Sequence, residues 1–226
     1  MQDQVKTTRK YFYEFFSLPF SFVDEQVFAR FKAQAEFLAL NPLREDLKKD
    51  FEVILSFGLQ DFLNEQNAVF FDFSYVNVPV TASFYDEGRD DGRKKLKACE
   101  ILRKTPFRRD EKCAQSEDEF AFSFALMPSL IDLNEDIAKE FVEQILNSVI
   151  DEFIEKLQIH KNSVFFAHFA NIMQVFFDFE REILDLDKPS KNIEKSIADE
   201  ALERLPYEPK LPTRFSKTNM EELSKL

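Results

Sequence analysis

Apolar positions recur along this chain at helical intervals. Between residues 134 and 157, Ile137, Phe141, Val142, Ile145, Val149, Phe153 and Leu157 follow one another mostly in steps of four, which predicts one helix over Asn134 to Leu157. Residues 162–184, NSVFFAHFANIMQVFFDFEREIL, are apolar almost all round in their first turns. A helix of that kind is buried on several sides, at the centre of a bundle. Val27, Phe28, Phe31, Ala35 and Leu38 share one face of a helix over residues 24–40. Leu47, Phe51, Ile54, Leu55 and Phe62 continue the pattern over residues 43–62, with Gly58 placed to end or kink it. Tyr11, Phe15 and Leu18 make residues 7–20 another helix. Residues 66–88 break the pattern: Val, Phe and Tyr stand at strand-like density around Pro79, which predicts extended loop or short strand pieces.

The stretch SEDEFAFSFALM, residues 116–127, carries two periods at once. Phe120, Phe122 and Phe124 alternate as in a strand, yet Phe120, Phe124, Met127 and Ile131 also form a helical stripe, with Phe122, Leu126 and Leu130 beside it. Ser116 and Glu119 have the spacing of a capping box, and Glu117, Asp118 and Glu119 would occupy a first turn where the helix dipole favours anions. The segment is read as a helix opening at Ser116, with Pro128 as a point of distortion. Together these patterns predict an all-α chain: a single bundle-like helical domain of about eight to ten helices over residues 1–205. Residues 206–226 form a tail in which Pro206, Pro209 and Pro212 preclude a continuous helix, before a short helical turn marked by Thr218 and Glu221.

Composition sharpens this picture. Phe occurs 28 times and Trp never, so Phe fills the core positions. Only three glycines are present, which disfavours hairpin-rich folds and phosphate-cradling loops, and GRDDG at residues 88–92 is too short and acidic for one. The net charge of −12 argues against a general nucleic-acid binder. Residues 89–112 nevertheless carry a local excess of basic groups, open to two readings: a solvated helix face, or an RNA- or anion-binding element working through Arg93, Lys94, Lys95 and Lys97. No apolar run reaches the roughly 18 residues of a membrane span, and the first residues lack a secretory h-region. Two cysteines, Cys99 and Cys113, exclude a disulfide scaffold and place the expectation in the cytoplasm. His160 and His168 belong to no metal-ligand motif and read as a helix cap and a packed helix residue, so neither metal nor cofactor is expected. With no G-x-S-x-G and no recognisable nucleophile–base pair, an enzyme is not expected. The acidic cluster 117–119 is either a well-capped helix start or a landing site for a cationic peptide.

Several of these segments, in this order, resemble the TorD/DmsD-like chaperones of molybdenum-containing oxidoreductases. The aromatic first helix of that family is matched by RKYFYEFFSLPF (residues 9–20), its mid-chain segment by VPVTASFYDEG (78–88), its charged helix by residues 89–104, and its long helix pair by residues 134–184. The family's E-P-x-D-H motif corresponds to QSEDEF: Asp118 is retained, while Gln115, Ser116 and Glu119 replace Glu, Pro and His. The resemblance spans about residues 7–185. It implies an all-helical, cytoplasmic, non-catalytic chaperone, monomeric or a domain-swapped dimer. Such a protein binds the catalytic subunit of a molybdopterin oxidoreductase, or its twin-arginine signal peptide, until cofactor is inserted. A receptor for two guanidinium groups followed by an apolar stretch needs carboxylates beside an apolar groove. Tyr75, Phe84, Tyr85, Asp118 and Glu119 are the expected peptide-binding residues, the carboxylates steering and the aromatics holding.

Overall fold

The structure, a computed structural model, describes residues 2–72, 77–190 and 196–203. In chain order the helices are α1 (Gln2–Ser17), α2 (Glu25–Leu40), α3 (Lys48–Ser56), α4 (Leu59–Gln66), α5 (Ala82–Glu87), α6 (Arg93–Arg103), α7 (Phe120–Leu133), α8 (Glu135–Phe141), α9 (Ile150–Ile159), α10 (Phe165–Leu184) and α11 (Ile197–Glu203). The described residues contain no strand, only an isolated antiparallel bridge between Thr81 and Glu119. The all-α class holds, with eleven helices among the described residues against the eight to ten expected. The predicted tail over 206–226 lies outside the described residues.

The all-round apolar helix is central, as its pattern requires. α10 packs on α9, α3 and α1, and Phe165, Phe166, Phe169, Phe176 and Phe177 are buried along it. Phe12 of α1 stacks on Phe176 at 5.2 Å, Phe15 meets Phe169 at 5.3 Å, and Phe120 of α7 stacks on Phe153 of α9 at 4.1 Å. Phe20, in a tight turn after α1, touches the rings of Phe70, Phe124, Phe153, Phe166 and Phe169. Offset and edge-on ring pairs of this kind add to the apolar area they bury.

A charged cluster sits inside this core. Arg9 of α1 donates through Nε and Nη2 to both carboxylate oxygens of Glu180 of α10, at 2.7 and 2.9 Å. Its Nη1 reaches Glu135 at 2.7 Å, and the Tyr13 hydroxyl donates to Glu180 at 2.9 Å. Arg9 is 2% exposed and Glu180 fully buried. Burial and the Glu180 charge push the Tyr13 phenol well above its ordinary value, so it stays a donor.

One helix starts and another stops where sequence chemistry says they should. Asp24 caps α2 by accepting from the Val27 amide at 2.8 Å, and Gly58 separates α3 from α4. The single helix expected over Asn134 to Leu157 is corrected. α8 passes into a π turn (Val142–Leu146), the chain bends at residues 147–149, and α9 begins anew. Apolar steps of four lag an α-helix by about 40° each, so an unbroken helix would turn Ile137 and Leu157 about 200° apart. The π turn, in which the Asn147 amide bonds the Val142 carbonyl, resets the face.

α10 starts at Phe165, three residues after the expected Asn162. Its first turn is capped from a distance: the Glu65 carboxylate of α4 accepts from the amides of Val164, Phe165 and Phe166 at 2.8–3.0 Å. Glu65→Ala strands these amides where water reaches poorly, and is expected to cost about 1–3 kcal/mol, with Glu65→Gln retaining part of it. Urea unfolding followed by helix ellipticity measures both.

Candidate functional site

Three connections meet beside the N-terminus of α7. The first is residues 21–23, between the tight turn Leu18–Phe20 and α2. Gln66 holds it, its side-chain amide donating to the carbonyls of Pro19 and Ser21 at 2.7 and 3.1 Å. Val23 points inward here, and its neighbour Phe22 therefore points out, 89% exposed. The second is the end of α4 and the π turn Asn67–Phe71, whose last ring is 59% exposed. The third is residues 113–115 with Glu119. Between them lies a hollow of about 690 Å³, lined by Phe20, Phe22, Val23, Leu63, Phe71 and Glu119 among others.

Glu119 is the charged group of this hollow. It is half-buried, and its carboxylate accepts from the Ser116 amide at 3.3 Å. Among the described residues no cation pairs with it. Desolvation raises its pKa above the usual carboxylate range, opposed by the Ser116 amide and assisted by the charges of Asp118 and Asp90. A cation brought into the hollow would relieve this strain on the ionised form.

The predicted helix start at Ser116 is corrected. α7 begins at Phe120, and residues 117–118 form a turn before it. The reason lies across the chain: the Ala82 amide bonds the Asp118 carbonyl and the Phe120 amide bonds the Val80 carbonyl, both at 2.9 Å. One half of the capping box survives, the bond from Glu119 back to Ser116.

The other expected site residues separate. Asp118 is fully buried and accepts from the Ser83 amide at 2.9 Å and the Ser116 hydroxyl at 2.6 Å. It caps α5 and is not offered to a guest, which corrects its expected place. Tyr85 is likewise buried, its ring against Phe120 and Phe153 and its hydroxyl donating to the Pro79 carbonyl at 2.9 Å. Phe84 is partly buried against the core and does not line the hollow. Tyr75 lies outside the described residues. Glu117 is bound to Arg109 at 2.9 Å; burial pushes its carboxyl up, but an amide and the guanidinium hold it below the ordinary value. Phe22, Phe71 and Leu63 were not among the sequence candidates. The one local signal was FSFVD, where two rings flank a serine before a capping Asp and an extended segment can bury only one side.

These placements give a separation of effects. Asp118→Ala is expected to cost about 1–3 kcal/mol by stranding a buried amide and hydroxyl. Glu119→Gln is expected to leave stability unchanged or slightly raised at neutral pH, since it removes a desolvated charge. Paired thermal unfolding curves check both.

A crystal structure from Archaeoglobus fulgidus, described provisionally as a redox enzyme maturation protein, superposes on this chain with a TM-score of 0.55. The chain has the fold of that protein. Identity is 20%, over 75% of this chain and 93% of the other. The all-α class expected from the sequence therefore stands. No family model matches the chain, and no curated protein matches it.

The basic segment offers a less open surface than its sequence suggested. Arg93 pairs with Asp86 and Glu87, Lys95 with Asp91, Lys97 with Glu100, and Lys104 with Glu140. Lys94 is directed inward, donating to the Gln144 carbonyl and the Ser148 hydroxyl, and desolvation lowers its pKa. His160 ends α9, and His168 of α10 meets Asp50 at 2.8 Å. No described helix is long and apolar enough to cross a membrane.

Proposed function

We propose that this protein is a cytoplasmic, non-catalytic maturation chaperone. In this reading it holds the catalytic subunit of a molybdopterin oxidoreductase, covering its twin-arginine signal peptide, until the cofactor is inserted. The hollow beside α7 receives the apolar part of that segment, and Glu119 receives a guanidinium group. The observation that carries the reading is the pairing of two exposed rings, Phe22 and Phe71, with a half-buried carboxylate that lacks a cation among the described residues. The shared fold with a maturation protein supports it.

Magnitudes assign the roles. An aromatic side chain buries about 150–250 Å². At about 25 cal/mol per Å², covering two such rings is worth several kcal/mol before ordering costs. An exposed ion pair gives roughly 0–1 kcal/mol, and a partly desolvated one somewhat more. The rings therefore supply affinity and Glu119 supplies orientation.

Co-expression with a molybdopterin oxidoreductase catalytic subunit, followed by affinity capture of this chain, tests the reading. The subunit is expected to co-purify with the wild-type chain and to be depleted with Phe22→Ser/Phe71→Ser. Equal recovery on the double variant, or on an unrelated acidic helical protein, would contradict it.

A further inference from the structure

The chain carries its own candidate guest for the hollow. Residues 210–217 read KLPTRFSK: three basic residues, no acidic one, and the apolar Leu211, Pro212 and Phe215 among them. Its charge is opposite in sign to the chain's net −12. It presents a guanidinium, Arg214, immediately followed by an aromatic ring, which is the chemistry that Glu119 and the Phe22–Phe71 rims would accept.

The anchor point is near. α11 packs on α5: the Ala201 side chain and Ile197 crowd Gly88 at the C-terminal end of α5. The N-terminal end of α5 is bonded to residue 118, and Thr81 beside it is bridged to Glu119. So one short helix, roughly 9 Å at 1.5 Å per residue, separates the neighbourhood of α11 from the hollow. From Glu203, where α11 ends, to Phe215 an extended chain spans up to about 40 Å. The reach is ample.

We propose that residues 210–217 occupy the hollow in cis when no client is bound, Arg214 pairing with Glu119 and Phe215 lying between Phe22 and Phe71. The tail then shields the exposed rings and must be displaced by a client, which sets a threshold for capture. This rests on the reading of the hollow as a peptide site. Because the tail is tethered, its effective concentration is high, and a weak intrinsic affinity is enough to fill the site.

Hydrogen exchange on the full-length chain tests it. Arg214→Ser/Phe215→Ser is expected to speed exchange in residues 63–71 and 113–119 by about fivefold or more, with the rest of the protein unchanged. Glu119→Gln with the natural tail is expected to give a smaller change in the same segments. Unaltered exchange in the tail variant overturns the proposal. Protection that grows with protein concentration assigns the guest to a second copy, and likewise overturns docking in cis. A fluorescent synthetic peptide with two adjacent arginines followed by an apolar stretch separates this from the proposed function. It is expected to bind the tail variant roughly tenfold more tightly than wild type. If the peptide binds neither chain while the exchange difference stands, the tail docks and the client reading fails. If it binds both equally and exchange is unaltered, the client reading stands and the tail proposal fails.

Discussion

Arg9→Ala is expected to destabilise the protein by about 3–5 kcal/mol, because it leaves the Glu180 carboxylate buried without a counter-charge. Glu180 is wholly enclosed, and Arg9 supplies two of the three hydrogen bonds recorded to its carboxylate, Tyr13 the other. The loss therefore includes the full desolvation of an unpaired ion, not merely the net worth of a pair. Arg9→Met/Glu180→Leu removes both charges while keeping bulk, and is expected to recover most of the loss. Guanidinium unfolding of the single and double variants is the measurement. A double variant no more stable than Arg9→Ala would show that the cluster acts through packing alone.

Phe169→Ala is the second large effect, at about 3–5 kcal/mol. Its ring meets those of Phe15, Phe16, Phe20, Phe31 and Phe165, which come from α1, the turn after it, α2 and α10 itself. Deletion removes the ring's transfer energy and leaves a cavity whose walls are themselves rigid rings, so little collapse can compensate. Phe169→Leu is expected to lose less, because most of the volume is kept. The same unfolding experiment ranks the two. Phe37, more than half exposed on α2, serves as the control: Phe37→Ala should fall within about 0.5 kcal/mol apart from its contact with Tyr11.

Much of the body of this fold is written locally. The apolar girdle of residues 165–177 declares a central helix, Asp24 declares a start, and Gly58 declares a stop. What the sequence conceals is everything that depends on distant partners. Glu65 caps a helix that begins 100 residues later, and Asp118 caps α5 from 35 residues downstream. A carboxylate adjacent to an aromatic run looks the same whether it faces solvent or a remote amide. For that reason Asp118 reads as a binding group in the sequence, whereas in the fold it accepts from the Ser83 amide and the Ser116 hydroxyl. Tyr85 illustrates the same ambiguity for rings: its sequence neighbours resemble those of an exposed aromatic, and only the approach of Phe120 and Phe153 buries it.

The hollow was hidden for a further reason. It is formed where three connections converge, and none of them shows a helical or strand period. Of the expected binding residues, Glu119 alone among those described lines it. Its neighbours Phe22 and Phe71 are conspicuous only once the burial of Phe20, Val23 and Phe70 shows which rings the core has left over. The charge of residues 89–112 misled in the opposite direction, since most of its cations answer acidic groups close by in the fold.

The central claim is that this hollow grips an apolar, cation-bearing stretch of another polypeptide chiefly through its rings. Titration of the fluorescent twin-arginine peptide against the wild-type chain, Phe22→Ser/Phe71→Ser and Glu119→Gln measures it directly. The expected result is an affinity loss of roughly tenfold or more for the ring variant, and a smaller loss for Glu119→Gln that shrinks as salt is added. Undiminished binding by the ring variant, with its unfolding curve intact, would contradict the account.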